Sequence, residues 1–197
     1  MPKLVDPEER RAYFATCGLN LIAAQGLEAF TLRAVAAEAG VTTGALTHYF
    51  PSREALIMAV LDLAAAEAGK HLTAAFKGAG SDYARLHAVL LGALPLDAGG
   101  VRAWRIWIAF WAAALGDAAL AEENGRRYTQ WRDLILMLLR PLVGNEAEAN
   151  REANLLAGVI DGFGRQIAIA ASSPRGCSED QARAVAAVET YLARFRR

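Results

Sequence analysis

Few residues in this chain are equipped for bond-making chemistry. The three histidines, His48, His71 and His87, lie far apart. No His-Glu-x-x-His, Gly-x-Ser-x-Gly or phosphate-loop pattern surrounds them, so no catalytic residue is assigned. Asp161 and Arg165 stand one helical turn apart and can pair along a helix, which is not a catalytic arrangement. Cys17 and Cys177 lack metal-ligand spacing, so neither a metal site nor a cofactor is expected. They read most simply as unpaired thiols in a reducing cytoplasm. One stretch does concentrate hydrogen-bonding side chains: Thr31 to Ala55, TLRAVAAEAGVTTGALTHYFPSREA. Its chemistry is recognition.

The spacing within that stretch predicts two short helices joined by a tight turn. Thr31 suits the N-cap of the first, with Leu32, Val35, Ala36 and Ala39 at helical spacing. Gly40 stands where that helix must stop, because glycine accepts the left-handed backbone a C-terminal turn needs. Thr42 is placed to cap a second helix with Ala45, Leu46 and Tyr49 inward. Such a unit is a helix-turn-helix, whose usual task is to lay its second helix in the major groove of DNA. A plain helical hairpin would share these features.

The order Thr31-Leu32-Arg33-Ala34-Val35-Ala36, Ala39-Gly40-Val41, then Gly44-Ala45-Leu46-Thr47-His48-Tyr49-Phe50-Pro51-Ser52-Arg53-Glu54-Ala55-Leu56 resembles the DNA-binding signature of the TetR family of transcriptional regulators. The likeness runs from about Pro7 to Leu61. Arg105 to Trp111 (RIWIAFW) and Leu156 to Phe163 (LAGVIDGF) are more loosely similar to the C-terminal domain of the BetI-like branch. The resemblance implies that Thr43 to Tyr49 enter the major groove. Thr42, Thr43 and Gly44 would sit at the groove-facing end of that helix. Thr47 and His48 would reach base edges or phosphates, and Tyr49 the sugar-phosphate backbone. Arg33 and Arg53 would hold phosphates across the groove, with Thr31 beside them. Thr43 and Thr47 depart from the Lys and Tyr many relatives carry. That removes a charge and an aromatic contact, so no operator sequence carries over.

Composition fits a helical protein: 54% of the 197 residues are hydrophobic, and only six are proline. An all-α fold of about nine helices is predicted, at about 7–25, 32–39, 43–49, 53–76, 82–93, 101–115, 118–140, 147–171 and from about 178 onward, with Ser178 placed to cap the last. Residues 1–52 read as the DNA-binding domain and 53–197 as a ligand-binding and dimerisation domain. The longest apolar run, Ile106 to Leu115, is about half a membrane span, so no membrane partner is expected. The opening residues MPKLVDPEERR do not read as a secretory leader. Charge adds little support for DNA, since Met1 to Glu54 carry five basic and six acidic residues. Nonspecific affinity is therefore expected to be modest.

Two further constellations bear on function. Val185, Val188, Leu192 and Phe195 form an apolar stripe near the C-terminus, and Gly158 and Gly162 lie one turn apart. In the family the last two helices form a four-helix bundle with a partner's, so these six residues are the expected homodimer interface. Trp104, Trp107 and Trp111 share one face of the sixth helix. They read either as core or, with Tyr128, Phe163 and Gln166, as the wall of an effector pocket. Aromatic walls hold cations, and the BetI-like likeness implies choline-like ligands. The expected function is a ligand-responsive regulator, a repressor released from a palindromic double-stranded operator by a small-molecule effector. The alternatives are a helical small-molecule-binding protein or enzyme without DNA binding, a DNA-binding protein without a ligand, and an activator.

Overall fold

The structure, a computed structural model, describes residues 6–196, apart from the side chains at positions 71, 72 and 75. His71 and the leader reading of the first five residues therefore lie outside what is described. The described chain is all-α: α1 Pro7–Gln25, α2 Leu32–Glu38, α3 Thr43–Thr47, α4 Arg53–Gly78, α5 Asp82–Ala93, α6 Ala98–Ala114, α7 Ala118–Leu139, α8 Glu146–Ala170 and α9 Ser178–Leu192, with a final 3₁₀ turn at Ala193–Phe195. No helix among the described residues is long and apolar enough to cross a membrane.

Helix ends follow local chemistry. Asp6, Thr31, Thr42, Ser81 and Asn145 each accept a backbone N–H in the first turn of the helix they precede. At the end of α2, Val41 N–H reaches back to the Ala36 carbonyl and Gly40 N–H to that of Ala37, at 2.9 and 3.1 Å. With Gly40 at φ +68° this is a complete Schellman turn. Two boundaries differ from expectation. The sixth helix begins at Ala98, not near 101, because the Asp97 carboxylate accepts from Gly100 N–H at 2.7 Å and so caps two glycines into helix. Cys177, not Ser178, occupies the N-cap of α9, without a side-chain bond.

The chain divides into two compact units. The first runs to Glu67 and takes in Arg105–Ala121, so it extends beyond residue 52. Its core gathers Phe14, Leu19, Phe30, Leu46, Phe50, Leu56 and Phe110, each almost wholly buried. α2 packs on both α1 and α3. Gly18 lets Phe30 and Val60 close over α1, since a Cβ there would sit 2.9 Å from both side chains. The second unit comprises Ala68–Trp104 and Glu122–Arg197. In it α5, α8 and α9 pack together around Leu86, Leu90, Ile160, Ala184 and Val188.

Gly164 sets the tightest approach in the second unit. The Trp104 indole lies against the α8 backbone there, and a Cβ at 164 would stand 2.1 Å from the ring. The indole N–H is fixed as well, donating to the Ala93 carbonyl at 2.8 Å. Gly164→Ala is therefore expected to lower stability by about 1–3 kcal/mol through overpacking and to alter the near-ultraviolet tryptophan spectrum. Gly125→Ala, inside α7 with open space at its Cβ, should instead gain up to about 1 kcal/mol of helix propensity. Thermal melts of the two variants check the contrast.

Candidate nucleic-acid interface

α3 is five residues long, too short to persist alone, so tertiary contacts must hold it. Leu46 and Phe50 supply them, both fully buried in the core of the first unit. Ala45, expected inward, is exposed, and Tyr49 is only half-buried. Tyr49 packs edge-on against Phe14 with centroids 5.4 Å apart, and His48 stands edge-on to Tyr49. The surface left outward carries Thr42, Thr43, Gly44, Ala45 and His48, with Thr47 half-buried.

Several hydroxyls on that surface have internal duties. Thr31 and Thr42 accept the capping N–H groups of Ala34 and Ala45 at 3.0 and 3.2 Å. Thr47 donates to the Gly44 carbonyl at 3.1 Å. Thr43 makes no such bond among the described residues. Gly44 has open space where a Cβ would be, its nearest neighbour being the Thr42 hydroxyl at 4.0 Å. Nothing within the chain requires glycine there.

The arginines divide in the same way. Arg53, expected on phosphate, donates to the carbonyls of Phe30 and Leu27 at 2.9 and 3.3 Å and stacks over the Phe30 ring. It holds the α1–α2 connection. Arg11, which the sequence did not single out, donates to the Tyr49 carbonyl and covers the Phe50 ring at 4.5 Å. It thereby pins the segment leaving α3. Its spacing to Tyr49 is long-range, so no local pattern could have pointed to it. Arg33 is exposed and makes no hydrogen bond or ion pair among the described residues.

The second constellations rearrange. Val188, Leu192 and Phe195 are buried within their own unit, and Val185 is half-buried. The stripe is core, because α5 and α8 already cover it. Gly158 is exposed and Gly162 half-buried, and both are open at their Cβ. They share an outward face of α8 with Leu155 and Ile169, which are 48% and 60% exposed. Trp107 and Trp111 belong to the first unit and pack partly buried on its core. Trp104 belongs to the second and is core. Gln166 is exposed and leans toward Asp180 of α9. Phe163 is half-buried and Tyr128 mostly exposed.

A residue set aside at first acquires interest here. Asp161 lies on α8 one turn before Gly164, where the Trp104 ring rests, and its charge is felt by Tyr128 of α7. Burial pushes its carboxyl up to about 6, with Arg165 pulling the other way. Tyr191 of α9 and Arg194 of the final turn bond the buried Glu152 carboxylate of α8. Burial, with the hydrogen bond to Glu152 adding to it, pushes the Tyr191 phenol up to about 12.

Comparison with known proteins agrees with this geometry. The family described as "Bacterial regulatory proteins, tetR family" matches residues 18–60, and "BetI-type transcriptional repressor, C-terminal" matches residues 82–197. The HTH-type transcriptional regulator BetI of Serratia proteamaculans is 28% identical over 98% of this chain and 95% of its own. A transcriptional regulator from Saccharomonospora viridis, solved in complex with choline, superposes with a TM-score of 0.81 at 21% identity, covering 94% of this chain and 96% of that one. A TetR-family regulator from Pectobacterium atrosepticum gives 0.67 at 27% identity, over 95% and 94%.

Two measurements test these placements. Arg53→Ala should destabilise the fold by about 1–2 kcal/mol, since charged donors to two carbonyls are lost, whereas Arg33→Ala should leave the melting midpoint unchanged. Asp161 keeps its proton to about pH 6 when folded but only to its ordinary 3.8 when unfolded. Stability thus falls as pH rises between those values. Asp161→Asn should raise the midpoint at pH 7.5 and leave it unaltered at pH 4.

Proposed function

The chain belongs to the TetR family of bacterial regulatory proteins, with a BetI-type C-terminal region, and on that footing we propose that it is a homodimeric repressor of an inverted-repeat operator. The observation that carries this reading is the outward surface of α3. It combines exposed Thr43, Ala45 and His48 with a glycine whose missing side chain serves nothing inside the protein. Glycine in a helix is destabilising by about 1 kcal/mol relative to alanine. Close approach of the α3 backbone to a DNA groove accounts for it. Arg33 and the hydroxyls of Thr31, Thr42 and Thr43 are then the phosphate contacts. Residues 1–52 carry this surface, and the remainder serves effector binding and pairing.

One α3 reads only a few base pairs, so two are needed, about 34 Å or a multiple apart. The outward faces of α8 and α9 suit pairing of two copies. Leu155, Gly158, Gly162 and Ile169 recur along α8 at spacings of three, four and seven, and Ala182 and Ala186 are exposed on α9. Small residues on both helices permit close crossing. This replaces the Val188, Leu192 and Phe195 stripe as the interface.

We infer a small organic cation of the choline kind as effector. The choline-bound regulator from Saccharomonospora viridis supports this. So does α8, which carries Asp161 one turn before the glycine under the Trp104 ring, with Tyr128 sensing the same carboxylate. A half-buried carboxylate held above its ordinary range gains a counter-charge when a cation binds. α4, α6 and α7 each contribute residues to both compact units. Arg105 of α6 donates to the Ala23 carbonyl near the end of α1. A cation that favours one pose of these helices therefore biases the helix-turn-helix, with coupling of about 1–3 kcal/mol.

Selection of random duplex DNA on the purified protein at physiological salt should recover one inverted repeat. Arg33→Ala should weaken binding to all duplexes alike and reduce the salt slope by about one per protomer. Gly44→Ala should melt no lower than the parent yet bind the operator more weakly. Choline should release the operator at pH 7.5. Its effect should fade below about pH 6, where Asp161 is protonated, and in Asp161→Asn at any pH. A release that ignores both pH and Asp161 would sink the cation reading.

A further inference from the structure

We propose that the recognition helix takes its sequence information chiefly from thymine methyl groups, contacted by Ala45 and by the Thr43 side-chain methyl. The inference rests on the regulator reading above and specifies what its α3 recognises. Between Val41 and Phe50 there is no Arg, Lys, Asn or Gln. The bidentate pairs that identify guanine or adenine in the major groove are thus absent from this helix. The hydroxyls do not replace them. Thr42 is occupied as a cap acceptor, and the Thr47 proton is committed to the Gly44 carbonyl. Thr43 and His48 remain as single hydrogen-bonding groups.

What the helix presents in quantity is short and apolar. Ala45 is exposed although α3 lies on a well-packed core, and Thr43 beside it carries a methyl on an equally exposed position. The one apolar feature on a major-groove base edge is the C5 methyl of thymine. Side chains of one to three heavy atoms touch base edges only where the helix backbone lies close to the groove floor. Gly44, between these two residues and open at its Cβ, removes the atom that would hold the backbone off. The three adjacent positions therefore act together: glycine permits the approach, and its neighbours make the contact.

The test uses the full-length dimer and its selected inverted repeat. Each thymine is replaced singly by deoxyuridine, which deletes the methyl and keeps every hydrogen bond. One or two positions per half-site should lose about fourfold in affinity, the worth of one buried methyl-sized group. Thr43→Ser, which loses the methyl and keeps the hydroxyl, should abolish the uracil penalty at one of those positions. Ala45→Gly should abolish it at another. An operator indifferent to uracil throughout overturns the inference, as do penalties unchanged in both variants. In those cases the regulator reading stands, because an operator was bound. Failure to enrich any duplex overturns the regulator reading and this inference with it.

Discussion

A five-residue helix cannot hold its own shape, and the DNA-facing half of this protein is organised around that constraint. Two buried side chains, Leu46 and Phe50, fix α3 from below. The Schellman turn at Gly40 fixes the chain entering it. Arg11 fixes the chain leaving it, by bonding the Tyr49 carbonyl and lying over Phe50. With so few backbone hydrogen bonds of its own, α3 takes its orientation from its surroundings. Under the proposed function, a small shift in α1 or α4 would reach the groove-facing surface through these contacts.

The same constraint explains why the arginines are spent inward. Arg53 ties the α1–α2 connection to the start of α4 through two carbonyls. Arg105 reaches the Ala23 carbonyl in the last turn of α1. These contacts make the scaffold around α3 rigid at the expense of cations that would otherwise face phosphate. Arg33 is left as the arginine among residues 6–54 that no ring or carbonyl engages.

Much of this was legible in the sequence. The caps at Thr31 and Thr42 and the left-handed Gly40 follow from local chemistry that a few residues determine, and they stand where the spacing put them. What depended on packing between distant segments was not legible. An apolar stripe at helical spacing says that one face is covered but not by what. For Val188, Leu192 and Phe195 the cover is the chain's own α5 and α8. Glycine is ambiguous in the same way. Gly158 and Gly162 are open at their Cβ within the chain, whereas the glycine that the chain's own packing requires is Gly164, under the Trp104 ring. Arg53 carried the right charge for phosphate, and only its distance from Leu27 and Phe30 in space shows how it is used.

The near-neutral charge of the N-terminal segment bears on the proposed regulation. A reader with many phosphate contacts gains a large, sequence-independent affinity for DNA. In the proposed homodimer few free cations face the duplex, so its grip on DNA would depend on shape fit, two copies acting together and close contacts at the groove floor. Under that proposal each weakens when the two α3 helices move apart, because short side chains tolerate little separation. An effector with the usual coupling of about 1–3 kcal/mol would then shift that proposed balance.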